Sequence, residues 1–299
     1  MSTFSFCFGL RSPLPLLLPL LMGSTLVCPV PAIALVPYTP QMDLVELRQD
    51  GEGLFRQAVQ LLQFNEYEEA LRRAELATQL IQDQYEVWGL VADLYIRTDR
   101  PEKALLALKE AEKLAPTEPA VLATFGTLYF RQKDYAKAAE YHEIYVALKP
   151  DMPAGFFELG NDYYMLKRYE QALATYNKAV ALKADFWEAI NNIGLVQYEQ
   201  GEIEAAIVSW QKSVSINDKA AEPLLAIAVA RFQQGNQAEG IEQAEAALRL
   251  DGRYGNLEFL AEQLWGDRIL KDAAPLLAQP RVQIAAQRAL EAAQNELGQ

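Results

Sequence analysis

Small and large apolar positions recur along residues 51–254 with a period of 34, and two consecutive copies show the rule most plainly. FELGNDYYMLKRYEQALATYNKAVALKA (157–184) aligns with NNIGLVQYEQGEIEAAIVSWQKSVSIND (191–218), which brings Gly160 onto Gly194, Tyr164 onto Tyr198, Ala172 onto Ala206 and Tyr176 onto Trp210. Carrying that phase outward gives six units without insertion or deletion: 51–84, 85–118, 119–152, 153–186, 187–220 and 221–254. Their eighth places hold Ala58, Ala92, Gly126, Gly160, Gly194 and Ala228, and their twentieth places Ala70, Ala104, Ala138, Ala172, Ala206 and Gly240. A residue with little or no side chain lets two helices approach closely where they cross. The period therefore predicts a stack of like supersecondary units.

Each unit contains two runs of helical periodicity. In the fifth, Ile190, Ile193 and Val196 with Gln197 form the stripe of the first helix, and Ala206, Ile207, Trp210 and Val214 that of the second. Gly201-Glu202 marks the turn between them, and Asn217-Asp218 ends the pair. Pro116 and Pro150 end the second and third pairs, because proline cannot continue a helix interior. No alternating run is bounded by hairpin dipeptides, so the class expected is all-α.

These positions resemble the tetratricopeptide repeat, a 34-residue antiparallel helix pair with small residues at its eighth and twentieth places and an aromatic at its twenty-fourth. Tyr176 and Trp210 match that aromatic and His142 replaces it, while Ala74, Leu108 and Ala244 depart. The resemblance implies a right-handed superhelical solenoid that binds protein partners on its concave side. Tyr145 fills a place the family keeps small, so the joint between the third and fourth units is expected to splay.

In such repeats the second, fifth, sixth, ninth, twelfth and thirteenth residues face the groove. The twelfth places include four successive aromatics, Phe130, Tyr164, Tyr198 and Phe232, a ladder suited to a partner's apolar side chains. The alternative is that some of these rings are core between helices. Asn161 and Asn192 occupy ninth and sixth places and resemble the asparagines with which family members grip an extended backbone. Phe157, Glu222 and Ala226 stand where a C-terminal carboxylate clamp needs basic residues, so an internal segment or helix is the expected ligand.

Residues 256–279 continue the phase with Ala274 at the twentieth place but Glu262 at the eighth, and read as a degenerate seventh unit acting as a polar cap. RVQIAAQRALEAAQNEL (281–297) reads as a last amphipathic helix that either seals the exposed end or lies in a groove, with sealing favoured.

The N-terminus departs from this pattern. No charge falls between Ser12 and Met42, Arg11 precedes the apolar LPLLLPLLM (14–22), and Ala32-Ile33-Ala34 is a small-x-small site. Residues 1–34 thus read as a secretory signal or as a retained membrane anchor, with membrane association through residues 12–36 in the second case. Residues 35–50 read as a linker and leading helix, and a repeat array with an exported N-terminus resembles periplasmic or thylakoid-type assembly factors. A structural part of an envelope machine is the rival reading.

Charge and side-chain inventory narrow the function further. A net charge of −13 repels phosphate backbones, so no nucleic-acid partner is expected. Cys7 and Cys28 both lie in the apolar N-terminus, and His142 is the sole histidine. With no phosphate-binding loop or metal-ligand spacing either, no catalytic residue, cofactor or metal site is expected. His142, on a core-facing place, reads as a structural group.

Overall fold

The computed structural model describes residues 43–297. The predicted leader, the linker up to residue 42, and both cysteines lie outside the described residues. Among the described residues there are fifteen α-helices and no strand, and the fold is an all-α repeat solenoid. Twelve helices form six pairs: α1 (Leu44–Gln63) with α2 (Tyr67–Leu80), α3 (Tyr85–Arg97) with α4 (Pro101–Leu114), and α5 (Pro119–Arg131) with α6 (Tyr135–Leu148). Then come α7 (Pro153–Met165) with α8 (Tyr169–Leu182), α9 (Trp187–Gln200) with α10 (Ile203–Ile216), and α11 (Ala221–Gln233) with α12 (Gln237–Leu250). Helices α3, α5, α7, α9 and α11 start at 85, 119, 153, 187 and 221, each at the first place of its unit.

The leading helix and the first repeat helix are one element. Asp43 caps it by accepting from the backbone N–H groups of Val45 and Glu46, and α1 runs unbroken past Gly51. Pro101, Pro119 and Pro153 open α4, α5 and α7, where the missing N–H has no helical partner in any case. Pro116 and Pro150 follow the ends of α4 and α6 by two residues.

The eighth-place rule has a direct spatial cause. A Cβ on Gly126, Gly160 or Gly194 would stand 2.3–2.5 Å from His142, Tyr176 or Trp210, the twenty-fourth residue of the same unit. Where the eighth residue is alanine, at Ala58, Ala92 and Ala228, the twenty-fourth shrinks to Ala74, Leu108 and Ala244, all fully buried. Each pair of helices thus holds one ring and no methyl group, or one methyl group and no ring. The departures from the aromatic place are this exchange of volume.

The joint between the third and fourth units does not splay. Gly155 lies against the Tyr145 ring, where a Cβ would be 2.4 Å from Cε1, and this absence of a side chain absorbs the large residue. Helices α6 and α7 pack at least as extensively as any other neighbouring pair of units.

Apolar residues form two long clusters, from Ala58 to Leu128 and from Ala139 to Val282, which part in the third unit. There His142 occupies the ring's place, buried, with Nδ1 2.6 Å from Oδ2 of buried Asp162 on α7. His142 is a packed group of the core, and burial pushes the Asp162 carboxyl up to about 6 while the His142 contact pulls it down.

Beyond α12 the repeat stops. A 3-10 turn (Gly252–Gly255) leads to a short α13 (Leu257–Glu262), α14 (Asp267–Leu277) and α15 (Pro280–Leu297). Helix α15 lies along α12 and the 3-10 turn, tied by a two-pronged Arg281–Glu245 ion pair at 2.8 Å. Residues 256–279, read from Ala274 and Glu262 as a degenerate seventh unit, fold as the short α13 followed by α14; α15 takes the stacking place beside α12, and α14 turns inward onto α9 and α11.

Candidate partner-binding groove

First helices line the inner side of the stack, where α3 touches α5 and α5 touches α7. Phe130 is half-buried there and meets Tyr135 edge-on, with ring centres 5.2 Å apart. Tyr164, Tyr198 and Phe232 are buried. Among the described residues the ladder's rings pair within their own units, Tyr164 with Tyr169 and Tyr198 with Trp210, and not with one another.

Asn161 and Asn192 are 5% and 7% exposed, which corrects the expectation that they stand free as grips for an extended backbone. Asn161 Oδ1 accepts from the Tyr176 hydroxyl at 2.7 Å and from Asn192 Nδ2 at 3.0 Å. Asn191 Nδ2 donates to Asn192 Oδ1 at 3.2 Å. Their amides satisfy the buried Tyr176 hydroxyl, a group that would cost about 1–3 kcal/mol if left unpaired.

The chain's own C-terminal segment covers Tyr198 and reaches Tyr164. Tyr198 donates to Asp272 Oδ2 at 2.8 Å, Gln233 Nε2 donates to the Asp272 carbonyl at 2.8 Å, and the Tyr164 hydroxyl faces the Gly266 backbone. Glu199 accepts from the backbone N–H groups of Arg268 and Ile269 at 3.0–3.1 Å, standing in for the side-chain cap that Gly266 lacks. Trp265 Nε1 donates to Glu222 Oε1 at 3.1 Å. On the apolar side Ile269 and Leu276 are fully buried, each worth about 1.5–3 kcal/mol of transfer from water.

These contacts set the local acidities. Burial pushes Glu222 up to about 7 against the opposing hydrogen bonds from Asn191 and Trp265. Burial also raises Glu158, and raises the phenols of Tyr164, Tyr176 and Tyr198, the last helped by its bond to Asp272. Glu158, Asn161, Tyr176, Asn192 and Asn191 form a hydrogen-bonded chain across the fourth and fifth units, and in the sixth Glu222 accepts from Trp265 of the C-terminal segment.

The inner side of the second and third units is open. A cavity of about 230 Å³ between α3 and α5 is lined by Tyr85, Glu86, Gly89, Leu90, Ala120 and Thr124, largely second, fifth and sixth places. Among the described residues no cluster of histidine, cysteine, aspartate or glutamate could hold a metal ion, and no helix is long and apolar enough to cross a membrane.

Comparison with known proteins agrees with the repeat. Residues 160–201 match the family described as TPR repeat and residues 85–118 the one described as tetratricopeptide repeat, so the chain carries tetratricopeptide repeats. No curated protein matches it. Among solved structures, PilW, a type IV pilus biogenesis factor, is 19% identical with a TM-score of 0.62 over 68% of this chain and 94% of its own. PilF of Pseudomonas aeruginosa is 18% identical with a TM-score of 0.59 over 74% and 98%. A chain of the APC/C hetero-tetramer Cut9-Hcn1 is 16% identical with a TM-score of 0.61 over 83% and 46%. At these identities the likeness is one of fold.

Proposed function

We propose that this array of tetratricopeptide repeats is a non-catalytic scaffold that holds a helical segment of a partner protein along its inner groove. One observation carries the reading: the groove of the fourth to sixth units already holds a helix, α14, through groove-facing side chains of α9 and α11. The open inner face of the second and third units, with half-buried Phe130 at its border, offers continuous surface of the same kind. Phe130, Tyr164, Tyr198 and Phe232 are the proposed apolar contacts, with Asn161 and Asn192 setting the groove floor beneath them.

In this reading the array serves in assembling a membrane or envelope complex. The like fold of PilW, a type IV pilus biogenesis factor, supports that reading. Residues 12–36 would supply export or attachment, and thylakoid-type assembly is the finer form of the proposal. Crosslinking and mass spectrometry on native membranes, comparing wild type with Leu90→Glu/Thr124→Arg, tests the scaffold. Partner crosslinks are expected to fall at least tenfold. Undiminished crosslinks with an unchanged melting curve would instead favour a strut whose groove is idle.

A further inference from the structure

We infer that residues 256–279 are a displaceable internal ligand of the groove, and that the partner helix accepted there carries the same chemical pattern. This deepens the scaffold reading and rests on it. The pattern is an aromatic anchor, a glycine, then an amphipathic helix with an acid in its first turn: Trp265, Gly266, Asp267, Ile269, Asp272 and Leu276.

Four features distinguish this segment from a structural cap. First, the end of the stack is already closed by α15, which packs on α12 and the 3-10 turn, with Ala286 and Ala289 set against Gly252. Helix α14 instead packs mainly on the inner helices α9 and α11, at twelfth and thirteenth places of their units, with Trp265 before it reaching the second place at Glu222 and smaller contacts to α12 and α15. Secondly, the stacking of α7 through α12 proceeds pair on pair and does not pass through α14, so its departure leaves every helix pair with its own partner.

Thirdly, the groove supplies what the segment lacks. Helix α14 has no side-chain cap from its own sequence, and Glu199 provides one. That approach depends on Gly266, where a Cβ would lie 2.4 Å from the Glu199 Cδ. The Arg268 guanidinium stands over the Tyr198 ring at 5.7 Å, and Lys167 pairs with Asp267 at 2.7 Å on the exposed rim. Each of these contacts can be supplied by an incoming helix of the same pattern.

Fourthly, the segment can leave the groove without opening the end of the stack. Both ends of the segment are anchored near α12, by the 3-10 turn and by α15, so it leaves the groove as a loop while the end stays sealed.

The experiment uses a labelled synthetic peptide of residues 256–279 added to the full-length chain. In wild type the resident segment competes at high effective concentration, so the peptide is expected to bind weakly. In full-length Gly266→Ala/Ile269→Asp the resident is undocked, and the peptide is expected to bind at least tenfold tighter. Adding Glu199→Ala/Tyr198→Phe to that variant should remove the gain. A variant that keeps the wild-type helical signal and gains no affinity overturns the inference. Should the variant fail to fold, hydrogen exchange on wild type decides: amides of α14 exchanging at least tenfold faster than those of α9 and α11 support a displaceable segment, and exchange in step with them overturns it. These readouts concern the fourth to sixth units and are independent of the Leu90/Thr124 test, so the two readings can fail separately.

Discussion

Gly194 lies so close to Trp210 that a Cβ on the glycine would stand 2.4 Å from the indole nitrogen. The same exchange of volume, glycine with ring or alanine with aliphatic, operates in every unit. Gly194→Ala alone forces the ring to move and should cost about 1–3 kcal/mol, partly offset by the better helix propensity of alanine. Combining it with Trp210→Leu recreates the Ala92 and Leu108 pairing of the second unit. The double variant should therefore lose at least about 1 kcal/mol less than the sum of the two single losses, measured by chemical denaturation. Additive losses would show that the two places are not coupled.

This relationship also shows what was legible in the chain. Placement of Gly194 and Trp210 at a 34-residue period is a local, repeated signal, and it placed two helices in each of the six units. The single continuous α1 was hidden, because helical periodicity carries no mark where a repeat begins. Asn161 and Asn192 were found as a pair, but their partner, the Tyr176 hydroxyl, lies across the helix pair and has no spacing that announces it. The cover over Tyr198 was least legible of all. Asp272 is 74 residues away and outside the repeat, so no periodicity connects the two.

A second regularity escaped the sequence reading because it is conformational. The fifteenth residue of every unit, Asn65, Asp99, Lys133, Lys167, Gly201 and Gly235, has a φ between 57° and 92°. Only two of the six are glycine, the residue that takes this conformation without steric cost. Lys133→Gly should therefore stabilise the array, by up to about 1 kcal/mol once the extra freedom of glycine in the unfolded chain is subtracted. Lys167 is the poorer choice, since it pairs with Asp267. A fall in the denaturation midpoint of the Lys133 variant would contradict this account of the turn.

Buried His142 and Asp162 occupy places that hold Tyr176 and Val196 one unit later, both buried apolar neighbours in the core. His142 Nε2 and Asp162 Oδ1 find no hydrogen-bond partner among the described residues. Breaking the pair from one side leaves the other group desolvated, so His142→Phe alone should cost about 3–5 kcal/mol. Replacing both, as His142→Phe/Asp162→Val, should restore most of that loss or exceed wild-type stability, because it joins the two apolar clusters across the third unit. Thermal and urea melts of the three chains decide, and a double variant as unstable as the single one would mean that the polar pair itself holds the joint.

Glu222 makes stability depend on pH in a direction opposite to that of an ordinary salt-bridged acid. Its carboxyl is raised from an ordinary 4.5 to about 7, chiefly by burial under Trp265. Between those values the folded chain keeps a proton that the unfolded chain has released. The contribution is therefore fully present below about pH 4.5, declines as pH rises toward 7, and is gone above it. Its full amplitude is about 3 kcal/mol. Asp162, raised to about 6, and the net charge of −13 tilt the curve the same way, so the slope alone does not identify Glu222. Glu222→Gln keeps an oxygen to accept from the Trp265 indole and has no proton to lose. Urea denaturation of wild type and Glu222→Gln from pH 4.5 to 8 should show the two curves diverging through this window, with the variant losing less stability toward pH 8. Parallel curves would mean that Glu222 is solvated in the folded chain, and that Trp265 does not close over it.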